Sequence, residues 1–165
     1  MKLPQKIPLD KIIIKHRGFY NHEEFIKAIH NWFGDNDFFF EVEKYKLTGA
    51  TLKYTFSGDK KVTEYLLWKM KCFMIIYELK DAEIIKEGKK IKTNHARVHI
   101  EITATLIIDW QGRFQKKGKF LTLLGDFLRD YILRYKIVDM WADELALKQV
   151  ELANVIKKAL KQEVV

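Results

Sequence analysis

From Ala96 to Trp110 every second residue is apolar: Ala96, Val98, Ile100, Ile102, Ala104, Leu106, Ile108 and Trp110. The positions between them, Arg97, His99, Glu101, Thr103, Thr105, Ile107 and Asp109, hold a single aliphatic side chain. Successive side chains of a β-strand point to opposite faces. The run therefore predicts a long strand with one dry face and one polar face. A slip of one residue would turn the whole apolar set to the wrong side, so its pairing register is firmly set.

The rest of the chain supplies elements to pair with it. Lys11 to Arg17 predicts a short first strand rich in Ile. Asn21 followed by Glu24 is a capping-box pattern, and the helix after it places Phe25, Ala28, Ile29, Trp32 and Phe33 on one face, with Gly34 as its stop. Phe38, Phe40 and Val42 alternate with more polar neighbours, and Thr48-Gly49 reads as a turn. Ala50, Leu52, Tyr54 and Phe56 alternate in the next strand, and Ser57-Gly58-Asp59 is expected to turn the chain again. Tyr65 to Glu78 predicts a longer strand. Trp68, Met70, Cys72, Met74 and Ile76 share one side, and Phe73, Ile75 and Tyr77 make part of the other side apolar too, as in a strand covered on both faces. Ala82 to Lys92 carries a turn at Glu87-Gly88.

After Gln111-Gly112-Arg113 the period changes from two to three and four. Leu121, Leu124, Leu128, Ile132 and Tyr135 form one series, and Trp141, Leu145, Leu152, Val155, Ile156 and Leu160 continue it. No Gly or Pro occurs from Asp126 to Val165. Two helical segments are expected rather than one, because Phe120, Leu123 and Phe127 widen the apolar face of the first half. They would meet near Lys136–Asp139, with Asp139 as a cap.

This order predicts an α+β fold: a meandering antiparallel sheet, one N-terminal helix and a long C-terminal helical segment. The chain of 165 residues fits one domain, 1–165, with a strand-rich part over 11–112, a helix over 21–34, and a helical segment over 119–163. Helix-grip folds have a similar order, with a C-terminal helix packed into a curved sheet. They usually carry two helices after the first strand, where this chain shows one.

The stretch from Arg97 through Asp109-Trp110-Gln111-Gly112-Arg113-Phe114 to Phe127-Leu128-Arg129-Asp130-Tyr131 resembles members of an uncharacterised archaeal protein family. The resemblance covers the C-terminal half. It brings no known activity with it, so it implies no catalytic or cofactor residue here.

Several chemistries are disfavoured by the residues themselves. His95 and His99 would share a strand face but stand about 13 Å apart at ~3.3 Å per residue, too far for one zinc with bonds near 2 Å. His99 with Glu101 lacks a third ligand. The lone serine, Ser57, falls in an expected turn, and the lone cysteine, Cys72, on an apolar strand face where a thiol is ordinary packing. The acidic pairs Glu23/Glu24, Asp126/Asp130 and Asp143/Glu144 read as solvated helix surface, with Arg129 and Arg134 as partners for the middle pair. No phosphate-binding glycine loop occurs. A non-enzymatic chain without metal or cofactor is expected. One cysteine permits no internal disulfide, residues 1–10 with Pro4 and Pro8 lack a signal-peptide core, and no run approaches ~20 apolar residues. Together these point to a cytoplasmic protein.

Binding and assembly remain. Thirty Lys and Arg against 22 Asp and Glu leave a net charge of +8, which favours acidic partners: nucleic acid, an anionic membrane or an acidic protein surface. Lys86, Lys89, Lys90, Lys92, His95 and Arg97 lie on one expected hairpin, and Arg113, Lys116, Lys117 and Lys119 in the segment before the helices, with Phe114 as the aromatic beside them. Brought together they would hold an RNA or DNA backbone without sequence choice; apart they are a solvated surface. The leading expectation is self-association into a homo-oligomer through Trp141, Leu145, Leu152, Val155 and Ile156, unless the helices fold back across the sheet. A third is an apolar ligand pocket among Trp68, Met70, Phe73 and Tyr54, unless these side chains simply fill the core.

Overall fold

A computed structural model describes residues 6–108, 110–111, 118–127 and 140–161. Its elements run β1 (Lys6–Pro8), β2 (Ile12–Tyr20), α1 (His22–Asp35), β3 (Phe39–Thr48), β4 (Thr51–Lys61), β5 (Leu66–Lys86), β6 (Lys89–Ile108), α2 (Lys119–Phe127) and α3 (Ala142–Ala159). The strands form one antiparallel six-stranded sheet in the order β1-β6-β5-β4-β3, with β2 also on β6. The class is α+β with an antiparallel sheet, as the sequence predicts.

The alternating run is the centre of this sheet. β5 pairs along one side of β6, from Leu66↔Ile108 to Lys86↔Lys89. β1 and β2 share the other side, from Lys6↔Ile107 to Tyr20↔Asn94. Ala96, Val98, Ile100, Ile102, Ala104, Leu106 and Ile108 are all buried, as are Met70, Cys72, Met74 and Ile76 of β5. α1 and α3 cover this side. Asn21 caps α1 by accepting from the Glu24 amide at 3.1 Å, and Phe25, Ile29, Trp32 and Phe33 turn inward.

Three expectations are corrected. Ser57-Gly58-Asp59 is no turn: β4 runs straight through it, and Ser57 is buried. Glycine sits there because a Cβ would come within 2.5 Å of the Phe33 ring, so its absence lets α1 lie close to the strand. The long strand continues past Glu78 over a bulge between Tyr77 and Lys80, where Glu78 takes a positive φ of 56°. Beyond Asp81 and Asn94, β5 and β6 have no further strand beside them among the described residues and project as a two-stranded ribbon, turned at Glu87 and Gly88 with φ of 54° and 76°.

The third correction concerns the expected assembly seam. α3 folds back across the sheet and touches α1, β6 and β2. Leu145, Leu152 and Ile156 have no exposed surface, and Val155 and Trp141 pack against the same core. The buried Gln149 spans from the break between β1 and β2 to the central strand, donating to Asp10 O at 3.0 Å and Ile102 O at 2.8 Å. The α3 part of the stripe is thus covered within one chain, and Leu145, Leu152 and Ile156 are not open to a second. The expected helix junction and the cap at Asp139 lie outside the described residues.

Candidate functional site

The odd-numbered residues of β6 face away from α1 and α3. Antiparallel pairing places rows of side chains side by side across β2, β6 and β5 on this outer face. One row is Arg17, Arg97 and Tyr77; the next is Lys15, His99 and Ile75. Beyond the arginines come Phe19, His95 and Lys80. Arg97 and Arg17 are both exposed, and the Arg97 guanidinium lies 4.6 Å from the centre of the Tyr77 ring, a cation–π contact that fixes its plane. Phe19 is 48% exposed and meets the His95 ring edge-on at 4.9 Å.

These groups form a shallow depression of about 400 Å³ lined by Lys15, His16, Arg17, Tyr77, Arg97, Val98 and His99. Three of its lining groups carry a fixed positive charge, and no carboxylate lines it. The nearest acid along β6 is Glu101, engaged by His99 Nε2 and Lys11 Nζ, both at 3.4 Å. The His99 bond, and then Lys11, hold the Glu101 carboxyl below its usual range. Two arginines directly opposite on neighbouring strands repel one another, a local cost that an anion lying between them would relieve.

The sequence-predicted basic residues do not form one patch. Arg97 belongs to the depression. Lys89 and Lys90 stand exposed near the ribbon tip, about 26 Å and about 23 Å along the strand from Arg97 at ~3.3 Å per residue. Lys92 lies opposite Glu83 and lines a separate hollow with Glu23 and Asp81. Lys86 pairs with Lys89 in the register of β5 and β6. Lys119 opens α2, while Arg113, Lys116 and Lys117 are outside the described residues. Arg17, Lys15, Phe19 and Tyr77 were missed because each is unremarkable in its own strand. Only the pairing of β2 with β6 and β5 brings them together.

A second polar cluster lies at the start of α1. The Tyr20 hydroxyl is 3.1 Å from His22 Nδ1, and the Tyr54 hydroxyl 3.5 Å from His22 Nε2. Burial pushes both tyrosine hydroxyls up and the His22 imidazole down, so all three are neutral near neutral pH. The His22 amide donates to Asn94 Oδ1 at 3.0 Å, and Asn94 Nδ2 to Asp81 Oδ1 at 3.1 Å. The cluster fastens the first turn of α1 to β2, β4 and β6.

The remaining expected groups are placed as follows. Cys72 is buried, and desolvation pushes its thiol up to about 12. Trp68 and Met70 are buried in the core, Tyr54 is half-buried beside His22, and Phe73 lies on the outer face. Among the described residues no helix is long and apolar enough to cross a membrane. No family model matches the chain, and no curated protein is similar to it.

Proposed function

We propose that this domain binds single-stranded nucleic acid across the outer face of its sheet, by backbone charge and base stacking rather than by sequence. The observation that carries the reading is the row Arg17–Arg97–Tyr77, with two opposed guanidinium groups and a ring held 4.6 Å from one of them. Phosphates would lie between the arginines and Lys15. Phe19 offers an exposed ring on the same side, and stacking on such a ring serves any base. The ribbon lysines, Lys89 and Lys90, extend the positive field without belonging to the depression.

The test is fluorescence anisotropy of a labelled oligonucleotide, RNA and DNA in parallel, over a salt series. Affinity should fall steeply with salt, and Arg17→Ala with Arg97→Ala should flatten the slope by roughly 0.7 for each phosphate contact removed. Binding indifferent to salt, or unchanged in the double variant, would sink the proposal.

A second reading is favoured by the strand order and by α3 lying across the buried face, which together suit a helix-grip carrier of an apolar molecule. Its mouth would be the hollow of about 320 Å³ between His22, Tyr45, Leu47, Leu52, Tyr54 and Leu79, near the lower size of ligand sites. A fluorescent fatty acid that binds and is displaced by Leu52→Trp would support it over the first.

A further inference from the structure

β3 is the last strand of the sheet, and one of its edges carries no partner among the described residues. It is ten residues long, with Phe39 75%, Val42 49%, Tyr45 59% and Leu47 61% exposed. Edges of this length expose a row of backbone donors and acceptors and invite pairing. The charges along it are ordered: Glu41 and Glu43 come first, then Lys44 and Lys46. A strand with acids in one half and bases in the other is complementary to itself when it runs antiparallel to its own copy.

We infer that β3 pairs with β3 of a second copy of this chain about a two-fold axis between Glu43 and Lys44. That register sets Glu43 opposite the copy's Lys44 and Glu41 opposite Lys46. It also sets Val42 opposite Tyr45 and Phe40 opposite Leu47. Residues directly opposite in an antiparallel pair must share a face, and in a regular strand positions three or five apart do not. The bulge resolves this. β3 and β4 lose register between Val42 and Lys44, leaving Glu43 as the extra residue. Val42 and Leu47 are opposite the buried Phe56 and Leu52 of β4, and Phe40 and Tyr45 are opposite Gly58 and Tyr54, so all four lie on the helix-covered side. Glu41, Lys44 and Lys46 fall on the other side, and Glu43 joins them there, reaching Lys71 at 3.3 Å.

Charged residues and bulges also serve to keep edges apart. What separates the two roles is sign order. Like charges set opposite would repel a copy, and the order of signs here sets unlike charges opposite. The paired sheets would be continuous, with both outer faces on one side. The inference does not depend on nucleic-acid binding, since it uses none of the residues of the outer depression.

Sedimentation equilibrium through the micromolar range tests it. The wild-type chain should dimerise reversibly. Glu41→Lys with Glu43→Lys should weaken the dimer by about tenfold or more, as should Lys44→Glu with Lys46→Glu. Mixing those two variants should restore a dimer, because each mismatch then becomes a match, and the fourfold swap in one chain should dimerise alone. If loss of the Glu43–Lys71 pair unfolds the first variant, shown by circular dichroism, Glu41→Lys alone takes its place. A wild-type chain that stays monomeric, or a dimer indifferent to these reversals, overturns the inference. A dimer that forms normally while oligonucleotide binding fails leaves this inference standing and removes only the proposed function.

Discussion

The two faces of β6 share one backbone and differ in nearly every physical respect. The inner face carries Val98, Ile100, Ile102 and Leu106 with essentially no exposed surface, sealed under α1 and α3. The outer face carries Arg97, His99 and Glu101, which meet water, and His99 meets Glu101 at 3.4 Å. Inside, shape and volume decide what is tolerated, because a close-packed interior feels a single methylene. Outside, charge decides, and substitution there changes what the surface attracts more than whether the chain folds. The comparison teaches that fold and binding are divided by parity along one strand.

Substitutions can press on that division. Ile100→Ala should cost about 2–5 kcal/mol by leaving a cavity under α3, while Glu101→Ala, one residue on, should cost less than about 1 kcal/mol. Urea denaturation of both variants measures the gap, and similar losses would show the faces are not distinct. Gly58→Ala should cost about 1–3 kcal/mol, because the new methyl meets the buried Phe33 ring at 2.5 Å. Phe33→Leu in the same chain should recover part of it, as measured by melting temperature.

Acidification sharpens the comparison through the partly buried histidines. Burial lowers His22 and His16 from the ordinary 6.5, so below about pH 6.5 the unfolded chain takes up protons that the folded chain resists. Stability is complete above that pH and declines as the pH falls toward the lowered folded values. The melting temperature near pH 5.5 should lie below that near pH 7.5, and a pH-independent value would contradict the burial of these rings. The smallest effect is expected for Arg97→Ala, within about 0.5 kcal/mol of wild type, because removing it relieves repulsion from Arg17 while losing the contact with Tyr77. A large loss of stability there would make the row structural.

Much of the fold was legible in the residues, and the reasons are local. The alternation of Ala96 to Ile108 reports which side is dry before any partner is known. Asn21 and Glu24 announce a helix start because capping is settled within four residues. Gly58 misled, since a glycine beside Ser and Asp has the chemistry of a turn. Its use here, admitting the Phe33 ring from another element, leaves no local mark. The C-terminal stripe misled in a related way. Leu145, Leu152 and Ile156 had to meet an apolar surface, but periodicity does not say whose.

The outer row was the least legible part. Arg97 was singled out for its place among lysines of its own hairpin, and the structure gives it different company in Arg17 and Tyr77. Sequence alone determined that this chain is a basic α+β domain whose central strand has one dry and one polar face, because period and charge are properties of neighbouring residues. Tertiary structure decided what stands beside what: that β2 lies against β6, that α3 closes the core within one chain, and that β3 is left at an edge. Those outcomes depend on burying apolar surface across long stretches of chain, where the energy of each contact belongs to two distant segments at once.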